Sequence, residues 1–328
     1  MGRKKNDLNY AYAVARVRAN EKTLLTEKDI ETLIEADTYE DALRKLSELG
    51  WGELDQSTDY AAYLEAYFAK TWDLLEEILE DDIHVLDMLL IPNDVQNLKA
   101  ALKGKVSGND SEDHYTHSTV YPEEDIRKAV AEKDFAALPE FMQKAAEDAY
   151  DVLTTTGNGQ VADAIIDQAA LTHMRKLGKE SGSKVLADLA ERKVAAADMK
   201  IALRCSHTGK SEEFLEQSIA DCDGLKRKNL IAAAQEGEQA VLAYLEKTSY
   251  AMGALQYEES TSSFEKWCDD ILLECVASAK FTALGTDPIV AYYLARDAEL
   301  KTVRIILSAK KNHLDGDLIR ERVRTLYV

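Results

Sequence analysis

Tyr12, Val14 and Val17 are interleaved with Arg16, Arg18 and Glu21 at a spacing that suits a helix rather than a strand, so residues 8–24 read as one amphipathic helix. Thr26-Glu27-Lys28-Asp29 then has the form of a capping box, in which the threonine hydroxyl accepts from a backbone amide left without a partner in the first turn. Ile30, Leu33 and Ile34 form the apolar stripe of the helix that starts there. Thr38-Tyr39-Glu40-Asp41 opens another, with Ala42, Leu43 and Leu46 inward. Gly50 marks its end, because glycine takes the left-handed conformation past a helix terminus.

The same arrangement returns further on. Pro122-Glu123-Glu124-Asp125 can start a helix, since proline suits the first helical position. Ile126, Ala129, Val130, Phe135 and Leu138 stand 96 residues after Ile30, Leu33, Ile34, Tyr39 and Ala42. A weaker echo, Leu230, Ala233 and Ala234, stands 200 residues after the first three. A second pattern keeps the same order: Asn97-Leu98-Lys99, Asp198-Met199-Lys200 and Glu299-Leu300-Lys301, with the lysines 101 residues apart, each inside a helical stretch.

One helical unit reused about every hundred residues predicts an all-α fold of three similar lobes. The expected division is an N-terminal helix at 1–25 and lobes at 26–121, 122–223 and 224–328. The polar run Gly108-Asn109-Asp110-Ser111-Glu112-Asp113 links the first lobe to the second. Asp287-Pro288 starts a long helix through Tyr293, Leu300, Val303 and Leu307. Ile319, Val323 and Leu326 alternate with Arg320, Arg322 and Arg324 in a last helix at about 317–326.

Composition agrees: four prolines and 15 glycines in 328 residues leave few turn signals, and a 46% hydrophobic content suffices for a core. The formal charge of −20 changes the picture more. It sets the surface against nucleic-acid phosphates and anionic headgroups and favours basic protein partners. Cys205, Cys222, Cys268 and Cys275 form no CxxC pair and read as free thiols. Met1–Asp7 is too polar for a signal peptide. The best apolar run, Val85–Ile91, is far short of the roughly 20 residues that a membrane span needs. The expectation is a chain with no nucleic-acid partner and no direct lipid insertion.

A search for chemistry turns up little. Gly178-Lys179-Glu180-Ser181-Gly182-Ser183-Lys184 has the composition of a phosphate loop but not its spacing, and reads as the end of one helix and the start of the next. Thr154-Thr155-Thr156-Gly157-Asn158-Gly159 reads as a turn. His114 and His117 beside Asp113 lack further ligands to complete a metal shell. Asp81-x-x-His84 is only distantly like a di-iron motif and has no second copy. No catalytic, cofactor or metal residue is expected. The positions that stand out are Asn97, Lys99, Asp198, Lys200, Glu299, Lys301 and Arg304, as repeat-defining or partner-binding residues. On the structural reading the Leu or Met of each triplet packs inward and the lysine stem covers apolar neighbours. On the functional reading three equivalent helices present similar polar groups to one partner.

Four segments together resemble a known family: Tyr10–Arg18, Asn93–Lys99, Asp287–Lys310 and Ile319–Val328. The likeness is to the C subunit of the prokaryotic V-type (A/V-type) ATP synthase, the relative of the d subunit in eukaryotic vacuolar ATPases, and it spans nearly the whole chain. Ser308-Ala309-Lys310 departs from it, because the family tends to have glycine before the lysine. The resemblance implies three lobes about a pseudo-threefold axis, shaped as a funnel with a central cavity. It implies a non-catalytic component of the central stalk, one copy per complex, at the cytoplasmic face of the membrane. That component is a socket between the central shaft and the proteolipid ring that carries H+ or Na+. The competing readings are a generic helical-repeat scaffold for cytosolic proteins and a metal-dependent helical enzyme.

Overall fold

The structure, a computed structural model, describes residues 10–52, 60–109, 111, 114–116 and 118–328. These residues form sixteen α-helices and no strand. In chain order the first are α1 (Ala11–Glu21), α2 (Glu27–Ile34), α3 (Tyr39–Leu46), α4 (Tyr60–Leu79), α5 (Asp87–Ser107) and α6 (Glu123–Glu132). Then come α7 (Glu140–Thr156), α8 (Gly159–Glu180), α9 (Lys184–Thr208), α10 (Glu212–Ser218) and α11 (Arg227–Glu236). The last are α12 (Glu238–Leu245), α13 (Ala251–Glu259), α14 (Thr261–Val276), α15 (Asp287–Lys311) and α16 (Gly316–Arg320). Two compact units divide them, one running up to Ile83 and resuming at Leu255–Val328, the other His84–Ala254.

The first unit joins the two ends of the chain around α15. The capping box at Thr26 forms, with its hydroxyl accepting from the Asp29 amide and the Asp29 side chain accepting from the Thr26 amide. Thr38 caps α3 through the Asp41 amide. Past α3 the backbone winds one wider turn and reverses at Gly50, whose φ of 88° strains any side chain. That reversal drives Trp51 into the core, stacked on Tyr67 with ring centroids 3.8 Å apart, and Tyr63 Oη donates to the Trp51 carbonyl. Leu33, Leu46, Leu64, Val303, Ile306, Leu307 and Ile319 close the core around it. Each such side chain contributes roughly 1.5–3 kcal/mol by burial.

The second unit is built on two long helices. Helix α5 packs on α6, α7 and α8, while α9 packs on α8, α10, α11 and α12. The echoing stripes all face inward: Ile126, Ala129 and Val130 on α6, and Leu230, Ala233 and Ala234 on α11. Where the first unit has helix α3, this unit has only the single 3-10 turn Phe135–Ala137. Pro139 is the reason: it disfavours the helical conformation at the residue before it, and Leu138 is extended.

The expected N-terminal helix is realised within the described residues as Ala11–Glu21. The last helix is shorter than its pattern predicts and stops at Arg320. The segment after it is held to α14 instead: Arg324 Nε donates to Asp269 at 2.7 Å, and the Thr325 amide and hydroxyl both donate to Asp270 at 3.0 Å. Two of the arginines that fit a helical period, Arg320 and Arg324, are used in tertiary bonds, to Glu31 and Asp269. Of the proposed linker, Asp110, Glu112 and Asp113 lie outside the described residues, as does His117.

Candidate functional site

The three triplets fall at matching places on three long helices: Asn97 on α5, Asp198 on α9 and Glu299 on α15. Their apolar members, Leu98, Met199 and Leu300, are buried as expected. The polar residue that precedes each is buried as well, at 0%, 1% and 1% exposure for Asn97, Asp198 and Glu299. A buried polar side chain requires a partner, and each of the three finds one in backbone.

Asn97 Oδ1 accepts from the Thr116 amide and its Nδ2 donates to the Thr116 carbonyl, both at 2.9 Å. Asp198 Oδ1 accepts from the Ala220 amide at 3.0 Å. Glu299 Oε1 accepts from the Leu25 amide at 2.5 Å. In each case the backbone so held belongs to the connection leading into a short stripe-bearing helix: α6 after Thr116, α11 after Ala220 and α2 after Leu25. The repeat is therefore a clasp, in which a long helix fixes the entry to the short helix packed on it.

The three clasps solve the cost of burial differently. Asn97 carries no charge. Burial pushes the Asp198 carboxyl up to about 8, against the pull of the Ala220 amide and Arg227. Burial also raises the Glu299 carboxyl, and Arg296 at 2.7 Å with the Leu25 amide pulls it back. Arg296 is 4% exposed; its guanidinium also reaches Tyr292, Tyr67 and both the carbonyl and hydroxyl of Thr23.

The lysines stay at the margin of the buried region. Lys99 pairs with Asp167 on α8 at 2.5 Å, and Lys301 lies 3.1 Å from Asp297 and 3.4 Å from Asp269. Burial works against the Lys301 charge, and the two aspartates outweigh it. Lys200 is half-buried on α9. Arg304 is exposed on α15. The first members of the triplets are thus buried and bonded to backbone, and among the singled-out residues Arg304 is the exposed one.

Two buried partners were missed by sequence reasoning. Asp94 and Arg296 each sit three residues before a triplet, one turn back on the same helix face. Asp94 is 0% exposed and accepts from the Tyr121 amide at 3.0 Å and the Val120 amide at 3.3 Å, on the stretch that enters α6. Burial lifts its carboxyl to about 6. The 101-residue spacing was the available signal, since positions 94, 195 and 296 follow it; the middle one is Ala195, which hides the pattern.

Among the described residues no group of three or more His, Cys, Asp or Glu side chains is arranged to hold a metal ion. No described helix is long and apolar enough to cross a membrane. The phosphate-loop-like stretch ends α8 and begins α9, with Ser183 capping α9 through the Leu186 amide.

The family model described as ATP synthase (C/AC39) subunit matches residues 13–322. The C subunit of the V-type sodium ATPase of Enterococcus hirae is 23% identical over 310 residues, covering 90% of this chain and 94% of the relative. The C subunit of the A-type ATP synthase of Methanocaldococcus jannaschii is 24% identical over 349 residues, covering 97% and 86%. The C subunit of the V-type ATP synthase of Thermus thermophilus is 24% identical over 317 residues, covering 92% and 94%.

Proposed function

The chain belongs to the ATP synthase (C/AC39) subunit family, and from that premise we propose that it is the non-catalytic central-stalk subunit of a rotary A/V-type ATPase. In this role it is a socket: it receives the tip of the rotating shaft and rests on the proteolipid ring, one copy per complex, on the cytoplasmic side. Its three lobes, 26–121, 122–223 and 224–328, surround a central cavity.

The observation that supports this reading is the order in which the clasps connect. The long helix of each lobe holds the short helices of the next: α5 holds α6, and α9 holds α11. The last long helix, α15, holds α2 near the start of the chain. Each clasp lies within one compact unit, and one contact used three times in the same order is what three similar lobes need. A connector that carries torque has to be stiff, and buried polar contacts repeated in each lobe oppose sliding of one helix past another.

The net charge of −20 suits a basic shaft surface. Affinity purification of the tagged chain from its native membrane tests the proposal. Shaft and proteolipid subunits in stoichiometric yield are expected, and recovery of the chain without any other rotary ATPase component overturns it. Shaft affinity that does not change with salt removes the electrostatic part alone.

A further inference from the structure

Asp198 differs from the other two clasp residues in a way that points to a function of its own. Asn97 has an amide that both accepts and donates, and it uses both on Thr116. Glu299 is charge-balanced by Arg296. Asp198 is 1% exposed, spends Oδ1 on the Ala220 amide, and leaves Oδ2 buried with no hydrogen-bond partner. A carboxylate oxygen in that position lacks the compensation that a buried charge requires. A carboxylic acid there carries no charge, so what remains uncompensated at Oδ2 is a hydrogen bond and not an ion.

Burial is what chiefly opposes its ionisation, against the pull of the Ala220 amide. Arg227, at the head of α11, favours the charge, while Asp221 on the connection and Glu191 on α9 oppose it. Helix α8 brings Arg175, but that guanidinium is engaged by Glu191 and Asp223. It also brings Gln168, which donates to the Glu216 and Ile219 carbonyls. Arg227 donates to the same two carbonyls, which close α10. From α12 comes Tyr244, hydrogen-bonded to Lys226. The thiol of Cys222, two residues past Ala220, is pushed up to about 12, chiefly by burial.

We propose that Asp198 is held as a neutral carboxylic acid and forms an alkaline-released clasp: when its proton leaves to solvent, the connection Ile219–Cys222 detaches from α9. The neutral form keeps the entry to α11 fixed. Ionisation puts a negative charge beside Asp221 and Glu191, and hydration of that charge requires the connection to open. The direction follows from linkage. The closed state binds a proton that an opened or unfolded state, with an ordinary carboxyl near 3.8, has released. Opening therefore becomes easier as pH rises from about 4, by about tenfold per pH unit, and levels off above about 8.

The test compares the full-length wild-type chain with Asp198→Asn, which is neutral at every pH. Unfolding equilibria and amide exchange of the peptide containing Ala220 are measured from about pH 5 to pH 9. The expected result is a wild-type to variant ratio of opening constants that climbs about tenfold per pH unit and flattens above about pH 8. A ratio that stays constant with pH overturns the proposal. Asp198→Ala keeps the test valid if the asparagine variant folds poorly, because the slope disappears in it whatever its absolute stability. The infrared carbonyl band of a protonated carboxylic acid, present at neutral pH in the wild type and lost in either variant, is the second readout. Its absence from the wild type equally overturns the assignment.

Discussion

Gly178 of α8 lies so close to Ala190 of α9 that a Cβ added to the glycine would stand 2.6 Å from the alanine Cβ and 2.9 Å from the Leu186 carbonyl oxygen. The second neighbour is backbone, so the contact cannot be relieved by turning a side chain. This approach is what lets α8 and α9 pack along their length within the second unit.

Gly178→Ala sets two effects against each other. Alanine favours the helix by about 1 kcal/mol over glycine. Overpacking at a backbone contact costs about 1–3 kcal/mol. The expected net result is destabilisation, read as a lower urea midpoint with an unchanged slope. Gly159→Ala is the control: nothing lies within 4 Å of its added Cβ, so that variant is neutral or slightly more stable.

Asn97→Leu removes both bonds to Thr116 and leaves its half-buried amide and carbonyl without partners. At roughly 1–3 kcal/mol for each fully buried orphaned group, the two half-buried ones lead to an expected loss of about 2 kcal/mol, the low end of that range. Exchange at Thr116 and in the first turn of α6 rises more than elsewhere in the second unit. Uniform protection loss across that unit shows instead that the contact has no local role.

Arg296 and Glu299 form an ion pair at 4% and 1% side-chain exposure. Arg296→Met leaves the carboxylate buried without its cation and costs about 3–5 kcal/mol. Adding Glu299→Gln to that variant restores part of the loss, because the neutral amide no longer needs a countercharge and can still accept from the Leu25 amide. A double variant that is no more stable than Arg296→Met shows that shape, not charge, governs the site.

The helices were legible because apolar spacing and capping chemistry are local. Thr26, Thr38 and the stripe Ile30, Leu33 and Ile34 act as their pattern implies. The triplets were legible as repeats, but their chemistry was not. Periodicity places Asn97, Asp198 and Glu299 beside an apolar residue on a helix and says nothing of which backbone they meet, and those partners lie 19, 22 and 274 residues away. The end of α16 was misread for the same reason, since Asp269 and Asp270 compete for a segment whose own pattern is helical.

Asp94 supplies a pH dependence of its own. Its carboxyl is raised to about 6 from 3.8 by burial, despite two amide donors. The folded state therefore holds a proton that the unfolded state has released, and stability falls as pH rises from about 4 to about 6, then stays level. The loss totals on the order of 3 kcal/mol. In Asp94→Asn that part of the slope is absent and the part due to Asp198 remains, whatever the change in absolute stability. Chemical unfolding of both proteins between about pH 4 and pH 7 checks this, and parallel curves exclude Asp94 as the source.

Arg304 is exposed on α15, one turn past Lys301 and on the helix whose buried side carries the clasp to α2. A surface substitution there is expected to change folding stability by no more than about 0.5 kcal/mol, so any larger effect belongs to assembly. If the chain is the rotor socket, Arg304→Glu weakens its incorporation into the complex or uncouples ATP turnover from ion transport. Raising the salt shrinks the difference, as it does for a charge at an interface rim. Arg304→Lys keeps the charge and retains most of the coupling. Reconstituted complexes in which Arg304→Glu transports ions at the wild-type ratio to ATP hydrolysed, at low salt, remove Arg304 from the partner interface and leave it as a solvated helix surface.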